Sequence, residues 1–115
     1  MAVSGLLGLA FRAGKLVPGA QMTLTLIRDG KAALALLDET ASANTVKKVQ
    51  NACNHHRVQV MLLDEGVLGR ACGRPGMAAG AVKPCGLADR LLAIHHEKTG
   101  RPEAAEIETI MEDKG

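Results

Sequence analysis

Seven side chains in this 115-residue chain could ligate a metal or attack a substrate: Cys53, Cys72, Cys85, His55, His56, His95 and His96. A structural zinc site presents closely spaced ligand pairs, repeated once. Cys53 with His55 or His56 supplies one such pair, but no second cysteine pair exists, so neither metal nor cofactor is expected. Cys53 and Cys72 fall on apolar faces of helical patterns, where a thiol is inert packing. Cys85 follows Lys83-Pro84 without a base beside it. Asp38-Glu39 and Asp64-Glu65 each follow an apolar run and precede a helical pattern, as capping and dipole partners do. The segment Gly8–Lys15 superficially resembles a nucleotide loop. That loop needs four residues before its Gly-Lys pair, then Ser or Thr; here five separate Gly8 from Gly14, and Leu16 follows Lys15. These readings together argue against an enzyme.

Cations and turn-forming stretches remain. Arg70 and Arg74 bracket Ala71-Cys72-Gly73, and Pro75, Met77 and Ala78 follow; arginines at this spacing contact phosphates, while the apolar residues can press against an exposed base. Lys47 and Lys48 sit near the start of a helical pattern and add charge to its positive end. The stretch Ala13–Gln21 joins two apolar segments, with Lys15, then Pro18 to block helix, then Gly19 to permit close backbone approach. Charge is uneven. Residues 1–83 carry ten Lys/Arg against five Asp/Glu, and residues 84–115 carry four against seven. A basic body with an acidic tail points to a polyanion. Phe11 is the one aromatic residue, so the base-stacking modes of single-strand binders are excluded.

The elements that must position these groups are those of one α/β domain. Leu6, Leu9, Ala10 and Ala13 share a helical face, with Ser4 as cap and Gly14 as stop. Gln21–Ile27 is ambiguous: Met22, Leu24 and Leu26 alternate with threonines, which favours strand slightly, while Ala20, Leu24 and Ile27 share a helical face. Ala32–Leu37 and Val58–Leu63 read as buried strands. Ser42 caps a helix bearing Val46, Val49 and Cys53, and Asp64 caps a short helix ending at Gly73. Arg74–Gly80 is a loop, Ala81-Val82 a short strand, and Gly86 opens a helix through His95. Residues 1–97 form the domain; 98–115 are an acidic tail whose Ile107 and Met111 could support weak self-association. The odd cysteine count, the lack of any apolar run near the ~20 residues of a membrane span and the lack of a basic leader make a soluble cytoplasmic protein the default.

Taken in order, Gly5–Gly19, Asp29-Gly-Lys-Ala32, Glu39–Lys48 and Leu68–Gly73 resemble bacterial YlxQ-type proteins, relatives of the kink-turn-binding "seven-Ae" large-subunit ribosomal family. The resemblance covers roughly residues 5–95. It implies a three-layer α/β/α sandwich around a small mixed sheet of about four strands, and a helix over Gly19–Asp29, against the slight strand preference above. It also implies a partner: structured RNA, ribosomal RNA included, in which a bulge kinks the duplex. The start of that helix would enter the groove, and the loop after Gly73 would cover a flipped-out base.

The expected RNA-binding residues are Lys15, Gly19, Gln21, Lys31, Glu39, Lys47, Lys48, Arg70, Gly73, Arg74 and Pro75, the lysines as phosphate contacts. The family pattern at the helix start is Gly-x-Asn-Glu-x-x-Lys; here Gly19 is kept, but Gln21, Met22 and Thr25 replace the other three. Met22 cannot accept from a guanine amino group and Thr25 carries no charge, at a cost of ~1–3 kcal/mol each. Those replacements motivate an alternative, a protein-interaction module on the same fold that has lost kink-turn binding.

Overall fold

Apolar stripes on five helices close over both faces of one small sheet. The computed structural model describes residues 3–99. In chain order these are α1 (Val3–Arg12), β1 (Leu16–Pro18), α2 (Ala20–Arg28), β2 (Leu34–Asp38), α3 (Ala43–His56), β3 (Gln59–Leu63), α4 (Val67–Cys72), β4 (Ala79–Val82) and α5 (Gly86–Thr99). The strands lie in the order β1-β4-β2-β3. β2 and β3 run parallel, and β4 is antiparallel to both β1 and β2.

Strand alternation divides the core in two. Leu34 and Leu36 of β2 meet Leu6, Leu7 and Ala10 of α1, Leu68 of α4 and Leu91 of α5. Ala35 and Leu37 point the other way, to Leu24 and Ile27 of α2 and Val49 and Cys53 of α3. This is the α/β/α sandwich with a four-stranded mixed sheet. Each fully buried leucine contributes roughly 1.5–3 kcal/mol, so these two clusters carry most of the fold's stability. The small residues of β4 bring the layers close. A Cβ on Gly80 would lie 3.4 Å from Leu16 Cδ2 and 3.4 Å from the Val17 carbonyl oxygen.

Several local expectations are corrected. Gln21–Ile27 is helical, within α2. Its threonines, which favour a strand, are accommodated because Thr23 Oγ1 donates to the Gly19 carbonyl at 2.7 Å and Thr25 Oγ1 to the Gln21 carbonyl at 3.1 Å. β3, expected from Val58–Leu63 as a buried strand, is an edge: its Leu62 is 65% exposed. Ser4 lies inside α1, whose buried stripe runs through Leu6, Leu7 and Ala10 and leaves Ala13 exposed. Gly66, not Asp64, stands at the N-cap of α4, in a left-handed conformation with no side-chain cap. Ser42 caps α3 as expected, its Oγ accepting from the Thr45 amide at 3.2 Å. α5 continues through Thr99, past the expected start of the tail; Ile107 and Met111 lie outside the described residues.

Candidate nucleic-acid interface

One end of the sheet collects most of the candidate groups. Pro18, at the end of β1, pairs with Gly80, and Leu37 pairs with Ala79. The Gly19 amide donates to the Ala79 carbonyl at 2.8 Å, and the Asp38 amide to the Ala78 carbonyl at 2.9 Å. The Glu39 amide donates to the Leu63 carbonyl at 2.9 Å. The start of α2, the loop after β2, the end of β3 and the segment entering β4 are therefore laced together by backbone hydrogen bonds.

The start of α2 is open. Gly19 has φ 114°, ψ 134°, a conformation that suits glycine, and no side chain caps the helix. The amides of the first turn lack intrahelical acceptors and carry the positive end of the dipole. Gln21 and Met22 are exposed beside them, Met22 to 46%. This combination accepts an anion or the acceptor edge of a base.

Across the strand ends lies a groove of about 390 Å³ lined by Gly66, Gly69, Arg70, Gly73, Pro75 and Gly76. Its walls are mostly backbone, which lets a flat ligand approach closely. The buried Gly69 lets the 74–76 segment pack tightly on α4 as one wall: a Cβ there would lie 2.8 Å from the Arg74 carbonyl oxygen and 3.5 Å from the Gly76 nitrogen. The left-handed Gly73 (φ 66°) ends α4 and turns the chain toward Arg74. Arg70 and Arg74 are exposed on the rim. Burial pushes the nearby Cys72 thiol up, with Arg74 opposing it.

Asp38 joins the two halves of this surface. Only 2% of it is exposed. Its Oδ2 accepts from the Thr40 amide at 2.9 Å and from the Thr40 hydroxyl. Its Oδ1 accepts from the Gly66 amide at 2.9 Å. Burial alone would raise the carboxyl, but the Thr40 hydroxyl and amide, the Gly66 amide and the Arg70 guanidinium together hold it below its ordinary value. Arg70 folds back over α4: a Cβ on Gly66 would lie 2.8 Å from its Nη1. The carboxylate thus fixes the Glu39-Thr40 turn against the start of α4.

Of the residues named from sequence, Gly19, Gln21, Glu39, Arg70, Gly73, Arg74 and Pro75 gather at this end of the sheet. Lys47 and Lys48 are exposed on α3, just past its capped start. Lys15 and Lys31 are not part of the group. Lys15 precedes β1 and Lys31 precedes β2, which places both at the opposite end of the sheet. Sequence reasoning missed Gly66, Gly69 and Gly76 as groove walls, although the density of glycines between 66 and 76 was visible. It also assigned Asp38 no more than a capping role. Among the described residues, no group of three or more His, Cys, Asp or Glu could hold a metal ion, and no helix is long and apolar enough to cross a membrane. A second cavity, about 470 Å³, lies against β3 and α1 and includes Met61, Leu63 and Val67 in its lining.

Comparison with known proteins places this arrangement. The chain is 41% identical over 90 residues to the RNA-binding protein YlxQ of Bacillus subtilis (strain 168), covering 77% of this chain and 90% of that one. It is 37% identical over 78 residues to the RNA-binding protein YlxQ of Enterococcus faecium, covering 67% and 76%. A solved structure of a protein with unknown function from Bacillus halodurans superposes with TM-score 0.74 at 30% identity, over 79% of this chain and 93% of that one. The Giardia lamblia 15.5kD RNA binding protein shares the fold, with TM-score 0.68 at 19% identity over 85% and 84%. Residues 1–91 match the ribosomal protein L7Ae/L30e/S12e/Gadd45 family, and the chain belongs to it.

Proposed function

We propose that this protein is a non-enzymatic binder of structured RNA, ribosomal RNA included, and that it grips a kinked duplex with the sheet end described above. The observation that carries the reading is the pairing of an uncapped helix start at Gly19 with a backbone-walled groove between Gly66 and Gly76. The helix start offers amides and Gln21 to a duplex groove. The second groove accepts an unstacked base without needing an aromatic side chain. Arg70, Arg74, Lys47 and Lys48 supply phosphate contacts around them. The curated relatives named as RNA-binding proteins support the partner class. Met22 and Thr25 give this chain fewer base contacts than the family pattern, so phosphate contacts carry a larger share of its affinity.

Filter binding of a kink-turn RNA across a salt series tests the proposal. The Arg70→Ala/Arg74→Ala variant is expected to bind more weakly and to lose roughly 2 from the slope of log K against log salt. Unchanged affinity and slope would remove the groove from the interface.

A further inference from the structure

Lys15 and Lys31 lie on the wrong end of the sheet for the RNA face, and they are not alone there. The Lys83 amide donates to the Lys15 carbonyl at 2.8 Å, so these two lysines sit opposite one another where β1 begins and β4 ends. On the other side of β4, the Ala33 amide donates to the Val82 carbonyl at 2.8 Å, which holds Lys31 two residues beyond the same edge. Neighbouring strands are about 4.8 Å apart, so Lys15, Lys83 and Ala33 lie within a strip about 10 Å wide across the sheet, with Lys31 two residues further back along the chain. α1 and α2 both end here, with Arg12 and Arg28 in their last turns. The nearest acids along these segments are Asp29, at the C-cap of α2, and Asp89, in the first turn of α5. Arg12 and Arg28 answer the negative ends of their own helices. Lys15, Lys31 and Lys83 lie beyond those ends, and their charge is surplus to the fold.

We infer that this strip is a second RNA surface, which holds the phosphate backbone of the duplex flanking the kinked element. The inference rests on the RNA reading of the first surface. Four chain steps separate Lys15 from Gly19, about 13 Å along β1. Even at the ~3.4 Å rise of a B-form duplex this span takes about four base pairs, and the shorter rise of A-form RNA takes more, so a flanking stem must extend beyond about four base pairs to span both ends. The contacts here are to phosphate, so they are independent of sequence. A lipid surface fits less well, because the exposed large apolar residues among those described, Met22 and Leu62, lie on α2's first turn and on β3, away from the strip. A face with cations and no apolar anchor matches a phosphate backbone.

The test uses two synthetic kink-turn RNAs, with a flanking stem of about three or about twelve base pairs. Wild type should bind the long RNA more tightly than the short one. In Lys15→Gln/Lys31→Gln/Lys83→Gln that advantage should disappear, with a loss of about tenfold or more on the long RNA and a salt slope lower by roughly 2 to 3, while the short RNA is unaffected. Lys15→Gln/Lys31→Gln, which alters exposed positions and leaves half-buried Lys83 in place, should show the same pattern to a lesser degree. Equal affinity of wild type for both RNAs, or an equal loss on both in the lysine variants, would overturn the inference. So would a stoichiometry of two long RNAs per protein. Failure of the first reading looks different: Arg70→Ala/Arg74→Ala would then leave the short RNA bound as tightly as before. Wild type binding neither RNA would end both.

Discussion

Replacing Asp38 with asparagine keeps the shape of the side chain and removes only its charge and one acceptor. In the native protein three donors converge on the carboxylate: the Thr40 amide, the Thr40 hydroxyl and the Gly66 amide. Asparagine has one acceptor oxygen. If that oxygen faces Gly66, the NH₂ group faces the Thr40 amide; if it is flipped, the NH₂ group faces the Gly66 amide. Either way a partly buried amide loses its acceptor, at up to ~1–3 kcal/mol, and the remaining bonds lose their charge assistance. The expected destabilisation in urea unfolding at neutral pH is about 3 kcal/mol. The sign with pH follows from the lowered carboxyl. Its folded value lies below the ordinary ~3.9, so ionised Asp38 favours the fold above about pH 4, and that benefit is lost as pH falls through the folded value. The gap between wild type and Asp38→Asn should therefore be widest near pH 7 and shrink steadily below about pH 4. A gap that stays constant down to about pH 2.5, or one under about 1 kcal/mol at neutral pH, would refute the role assigned to the carboxylate.

Other consequences are quickly checked. Gly69→Ala drives a Cβ into the Arg74 carbonyl; it should cost about 1–3 kcal/mol in a thermal melt and weaken RNA binding by displacing the groove wall. Met22→Glu with Thr25→Lys restores two of the three replaced positions of the family's helix-start pattern, leaving Gln21, and gel-shift titration should show kink-turn affinity rising by about 1–3 kcal/mol. Burial pushes the Cys53 thiol up to about 11; alkylation followed by mass spectrometry should find it inert in the native protein and reactive only in denaturant.

What the sequence revealed divides by range. The Ser42 cap and the Gly14 stop are local devices, and both were legible. So was the run Arg70, Gly73, Arg74 and Pro75, because contiguous residues stay together whatever the fold does. α2 defeated periodicity because Met22, Leu24 and Leu26 alternate like a strand, whereas the packing of Leu24 and Ile27 against α3 and the sheet favours helix and the threonine hydroxyls find acceptors within it. Lys15 is four residues from Gly19 in sequence, yet an extended strand carries it to the far end of the sheet. The Asp38–Gly66 bond spans 28 residues, and no local pattern announces a contact of that length.

The position of β4 bears on when the protein can work. Among the described residues, β1 pairs with β4 alone, which is made some 60 residues later in the chain: Pro18 pairs with Gly80 and Leu16 with Val82. The same late strand accepts the Gly19 amide that fixes the start of α2. During synthesis, the first half of the chain can form helices, but their anchor emerges only with residues 79–82. At ~5–20 residues per second, several seconds separate Gly19 from its acceptor. The nascent chain therefore carries its cationic segments in an unassembled state for that interval, and the sheet end that gathers Gly19, Glu39 and the groove is completed in one late, non-local step.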